Sequence, residues 1–151
     1  MEHALRTAFC ALVGTKFAAV VAGGQSVAWL NGECEALADA HAEMPDDKRQ
    51  AIKDALSLCK TASERRNILV HGVKTYSREG DGALLTFRSR KNSHVRVVQQ
   101  WTPAEIGQVG RELSRATSQL YDALKSAVSH ETFWLWGALS SEDRERREGT
   151  P

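Results

Sequence analysis

Residues 102–128 read T-P-A-E-I-G-Q-V-G-R-E-L-S-R-A-T-S-Q-L-Y-D-A-L-K-S-A-V. A threonine followed three residues later by glutamate has the form of a capping box. Pro103 falls at the first helical position, where its missing N–H is not needed. Behind that start Ile106, Val109, Leu113, Ala116, Leu120, Leu124 and Val128 recur at steps of three and four, one apolar stripe along the whole stretch. The spacing predicts a helix roughly 40 Å long at 1.5 Å per residue, enough to extend past a small core and meet a partner. This stretch commits the chain to a mainly α class.

Immediately before it the pattern changes. Gly80-Asp81-Gly82 is turn chemistry, and A-L-L-T-F-R at 83–88 and V-R-V-V-Q-Q-W at 95–101 are short β-branched or aromatic runs. S-R-K-N-S at 89–93 reads as the loop of a β-hairpin placed before the last helix.

Further back, Met44-Pro45-Asp46-Asp47 opens a helix expected over 45–71, since proline and acids are favoured in a first turn. Gly72 is its expected stop. A helix from about Ser26 carries Val27, Leu30, Cys34, Leu37 and His41 on one stripe. An initial helix over 3–22 carries Leu5, Phe9, Leu12, Val13, Phe17, Val20 and Val21, and Gly23-Gly24 end it. That initial run is too short and too interrupted, by Lys16, to span a bilayer, and Glu2 and His3 stand where a signal peptide is basic. Beyond the last helix Phe133-Trp134-Leu135-Trp136 reads as a docking segment. Residues 140–151 read as a charged, disordered tail.

With 151 residues, 42% of them hydrophobic, the sequence is expected to form one helical domain over 1–139. Twenty Lys+Arg against nineteen Asp+Glu leave a net charge of +1, so attraction to nucleic acid has to come from local clustering. Cys10, Cys34 and Cys59 are far apart and include no C-x-x-C pair, which suggests a reducing, cytoplasmic setting. His3, His41, His94 and His130 lack metal-ligand spacing, and His41 is expected to be a half-buried helix residue. No P-loop lysine follows A-G-G-Q-S and no G-x-S-x-G elbow is present, so no cofactor is expected.

The anomaly lies at 63–72, S-E-R-R-N-I-L-V-H-G. On a helical wheel Ile52, Ala55, Leu56, Cys59, Ala62, Leu69 and Val70 define an apolar face, with Arg66 near its middle and Glu64 and Arg65 outside it. Asn67 and His71, four apart, share one flank, so Asn67 could hold the imidazole. A guanidinium within an apolar face is costly unless its five donors are met. Either Arg66 pairs with a carboxylate or snorkels out near the helix end. Or this face meets the same face of a second subunit and offers a planar fork to phosphate oxygens. The residues alone leave both open.

R-N-I-L-V-H resembles the R-x4-6-H motif of the HEPN superfamily, in its R-N-x-x-x-H form. The layout is similar too: antiparallel helices, a helix ending in the motif, an insert, then a long helix. The likeness covers about seven residues in motif and residues 1–130 in arrangement.

It implies a four-to-five-helix HEPN-like bundle that dimerises through the motif-bearing helix. It also implies a metal-independent endoribonuclease of single-stranded RNA, a toxin or phage-defence effector with a possible antitoxin. Carried over, Arg66 and His71 match the defining pair and Asn67 the favoured polar position. Glu64 and Arg65 have no fixed counterpart and are candidate supporting residues. The chemistry suits the residue types. Histidine moves protons near neutral pH, and arginine stabilises charge building on phosphorane oxygens. The alternative is a HEPN-like dimer without cleavage, serving as an RNA- or nucleotide-binding or regulatory module.

Arg88, Arg90, Lys91, His94 and Arg96 crowd nine residues, with Lys74 and Arg78 upstream. Lys74, Arg78, Arg88, Arg90, Lys91 and Arg96 are candidate RNA-backbone contacts. The other reading, which the pattern favours slightly, is an exposed, charge-protected strand edge.

Overall fold

In the computed structural model, residues 1–15, 17–76, 83–88 and 96–128 are described, with the backbone alone given for strand residues between 73 and 99. The chain is mainly α. It divides into two compact units, Met1–Lys60 with Ala116–Pro151, and Thr61–Arg115.

In the first unit α1 spans Glu2–Val13 and buries Ala4, Leu5, Ala8, Phe9 and Leu12. It stops where Gly14 turns left-handed at φ 69° and donates its N–H to the Cys10 carbonyl at 2.9 Å, a conformation glycine adopts without steric cost. The helix expected over 3–22 is therefore two helices, the second being α2, Ala18–Ala22. After the break the apolar stripe loses its register. Ala18 and Ala22 face inward, whereas Phe17 is 68% exposed and Val20 78%.

Helix α3, Val27–Ala40, starts on Ser26, whose hydroxyl accepts from the Trp29 N–H at 3.1 Å. It ends at His41, which is exposed rather than half-buried because it follows the last helical turn. Helix α4 spans Asp46–His71 with Asp46 and Asp47 in its first turn. Arg49 knits the connection: its Nε donates to Ala38 O at 3.1 Å, and its Nη2 donates to His41 O at 3.1 Å and Met44 O at 3.0 Å. Its Nη1 pairs with Asp46. One guanidinium thus satisfies carbonyls that the end of α3 leaves without helical partners.

The core of this unit is aliphatic. Leu5, Leu30, Ile52, Leu56, Leu120, Leu124, Cys34 and Cys59 are fully buried. Asn31 donates to Leu56 O at 2.9 Å, so its buried amide is not left unmet.

In the second unit β1 (Val73–Tyr76), β2 (Ala83–Arg88) and β3 (Arg96–Trp101) form an antiparallel sheet in that order. Val73 stands opposite Thr86, and Ala83 opposite Trp101. The expected two-stranded hairpin is thus not the arrangement found. The short V-K-T-Y run after Gly72, with β-branched Val73 and Thr75 and aromatic Tyr76, supplies a third strand, and the segment expected as the hairpin loop, 89–93, lies outside the described residues.

Helix α5, Pro103–Ala127, follows β3 through a reciprocal cap: Glu105 N donates to Thr102 Oγ1 at 3.2 Å and Thr102 N donates to Glu105 Oε2 at 2.7 Å. These donors hold the exposed Glu105 carboxyl below the usual glutamate range, the Thr102 N–H being the larger cause and its hydroxyl the next. Along α5, Val109, Ala116, Leu120 and Leu124 are buried as the stripe predicts, but Ile106 is 42% exposed in the first turn. The 133–136 segment and the 140–151 tail lie outside the described residues.

Candidate functional site

The motif occupies the last two turns of α4, in the second unit. Among the described side chains of that unit, Trp101 and Val109 form a buried cluster, and Ile68 and Leu69 pack against it with Leu113. Those contacts set which way the turns face. Successive helical side chains point about 100° apart, so a helix that presents Leu69 and Ile68 inward presents Arg65 inward and Arg66 outward. Arg65 is half-buried. Its Nη1 pairs with both oxygens of Glu112, reaching Oε2 at 2.6 Å, and its guanidinium carbon lies 5.6 Å from the Trp101 ring centroid. Gln108 Nε2 donates to the same carboxylate at 3.3 Å.

The wheel reading that placed Arg66 inward and Arg65 outward is therefore corrected. It extended the direction of Ile52, Leu56 and Cys59 to the helix end, whereas Trp101 and Val109 draw a different face inward there. The carboxylate-paired arginine is Arg65.

Arg66 is exposed and takes part in none of the ion pairs among the described residues. Its Nη1 donates to Asn67 Oδ1 at 3.3 Å. Asn67 is half-buried, and its described side-chain contact is with Arg66. His71 is exposed in the last turn, which closes with Gly72 N donating to Ile68 O at 2.9 Å. Five residues separate Arg66 from His71, roughly 7.5 Å along the axis and about 140° around it. Asn67, hydrogen-bonded to Arg66, stays on the flank of His71, while Arg66 itself points well away from the imidazole.

Glu64 is exposed, and it too makes contacts. Of the candidate RNA contacts, Lys74 stands opposite Leu85 in the β1–β2 register, and Arg88 stands opposite Arg96 in the β2–β3 register. Arg78, Arg90 and Lys91 lie outside the described residues. Glu112 and Trp101 went unread as site residues. Glu112 sits between Val109 and Leu113 of the apolar stripe, but only its partner across the unit gives it a role.

Among the described residues no group of three or more His, Cys, Asp or Glu is arranged to hold a metal ion. None of the described helices is long and apolar enough to cross a membrane. No protein-family model matches the chain, and neither the curated proteins nor the solved structures contain a significant match.

Proposed function

We propose that the chain is a HEPN-type endoribonuclease that cleaves single-stranded RNA as a homodimer, without a metal ion, by attack of the ribose 2′-OH. The observation that carries this reading is the exposed Arg66 guanidinium, held by Asn67 at the end of the helix that also carries His71. A cation that no described carboxylate neutralises is available to phosphate oxygens, which accept from a planar fork.

The angular separation of Arg66 and His71 favours two copies over one. A phosphate between two facing helix ends can take a guanidinium from one protomer and an imidazole from the other. In that arrangement one His71 removes the 2′-OH proton and its symmetry mate protonates the departing 5′-oxygen. Arg66 offsets the charge that builds on the phosphorane oxygens. Lys74, Arg88 and Arg96 are the basic residues of the described strands that would meet the RNA backbone, and an antitoxin or other regulator in a reducing, cytoplasmic setting keeps the activity in check.

The test is cleavage of a single-stranded RNA oligonucleotide by the purified protein in EDTA. His71→Ala is expected to lower the rate about 1,000-fold with an unchanged circular dichroism spectrum. An all-DNA analogue should stay intact. Equal cleavage by wild type and His71→Ala rejects the assignment. RNA binding without cleavage by the wild type leaves the non-catalytic module in its place.

A further inference from the structure

We infer that Arg65 is a positioning residue for the motif: gripped by Glu112 and laid over Trp101, it fixes the rotation of the last two turns of α4, and so the directions in which Arg66, Asn67 and His71 leave the helix. This rests on the ribonuclease reading of those three residues and deepens it.

The grip has three parts, all within the second unit. Arg65 Nη1 contacts both carboxylate oxygens of Glu112, 2.6 Å to Oε2. Gln108, one turn earlier on α5, donates to Oε1 at 3.3 Å and restrains that carboxylate from its own helix. The guanidinium also lies against Trp101, whose ring is 3% exposed and embedded with Val109, Ile68 and Leu69.

The Trp101 indole N–H is buried with no hydrogen-bond partner among the described residues. Among the described residues, the polar group lying against this side chain is the Arg65 guanidinium. Arginine suits both surfaces at once, a carboxylate edge and an aromatic face. Side chains one residue apart are locked at about 100°, so holding Arg65 aims Arg66. Without it, the half-buried Glu112 loses its cation and keeps the Gln108 amide, and the described contacts that remain for the last turn are Ile68, Leu69 and the Gly72–Ile68 backbone bond.

The experiment uses the full chain as wild type, Arg65→Ala, Arg65→Lys and Glu112→Gln. It reads kcat and KM on a single-stranded RNA oligonucleotide, and the nuclear magnetic resonance signals of the His71 ring and the 66–71 amides. Arg65→Ala is expected to lower kcat about 10- to 100-fold, the scale of a misplaced catalytic group, with KM within about threefold. The 66–71 signals should shift.

Arg65→Lys keeps a cation within reach of Glu112 and should recover most of kcat and return the signals toward wild type. Glu112→Gln should fall between the two. A folded Arg65→Ala with unchanged kcat and unchanged signals overturns the inference. So does a raised KM at constant kcat, which makes Arg65 an RNA contact. Should Arg65→Ala not fold, Glu112→Gln decides: unmoved signals overturn the inference. Should wild type cleave no RNA, the ribonuclease reading falls, and the signals alone judge the positioning.

Discussion

The two units solve the same packing problem with different materials. Residues 1–60 with 116–128 bury six leucine or isoleucine side chains and two thiols completely, and most of their buried polar groups answer to backbone carbonyls. Among the described side chains of residues 61–115, Trp101 and Val109 are buried together, and an arginine–carboxylate pair lies against the indole. The lesson concerns α4, which belongs to both. In its first part the sequence is read by hydrophobicity alone. In its last two turns the inward direction is chosen by one aromatic ring and one acid, and the residue beside the chosen arginine is left facing outward.

Substitutions can break that contrast. The largest effect is expected at Arg66. Arg66→Ala should reduce RNA cleavage about 1,000-fold, roughly 4 kcal/mol in the barrier. It should also leave urea-unfolding stability within about 0.5 kcal/mol, as for other exposed positions away from packing. If stability falls along with activity, Arg66 belongs to the structural part of the helix and the division drawn here fails.

Next comes Leu56→Ala in the first unit. Deleting a fully buried leucine side chain should lower stability by about 3 kcal/mol, measured by the same unfolding, with little change in cleavage by the protein that remains folded. A loss below about 1 kcal/mol would mean that the first unit is not the stabilising one.

The smallest effect is acid sensitivity in the second unit. Glu105 has a depressed carboxyl because Thr102 donates to it. For a depressed acid the stabilisation is complete above the unfolded value, about 4.3 for glutamate, and is lost as the pH falls through the lower folded value. Melting of wild type should therefore decline between about pH 5 and pH 3 by more than that of Glu105→Gln. Parallel declines would show that the cap carries no pH-dependent stability.

Much of this architecture could be read from residue order. The capping box at Thr102 and Glu105, the stripe through Val109, Ala116, Leu120 and Leu124, and the acids opening α4 are local signals, and local signals survive folding. The strand runs at 83–88 and 96–101 were also legible from β-branched and aromatic content. Three features were not. The break at Gly14 is masked because apolar spacing continues through Phe17, Val20 and Val21, and only the left-handed φ reveals that the helix has stopped. The V-K-T-Y strand is too short to carry a period.

The exchange of Arg65 for Arg66 as the inward residue depends on which side chain of α5 arrives opposite, information that no wheel drawn on α4 contains. Of the candidate site, Arg66, Asn67 and His71 stood out in the sequence by their spacing and by the resemblance they carry. Glu112, which has no signature of its own, was not.

All three cysteines of the chain belong to the first unit and are buried, with their thiols pushed up by burial, Cys34 to about 12 and Cys59 to about 11. Thiolates are the species that react with alkylating reagents, so these sulfurs are silent until their surroundings open. The molecule consequently carries its own stopwatch: the pace of labelling clocks breathing of the aliphatic half, while Trp101 can report on the other.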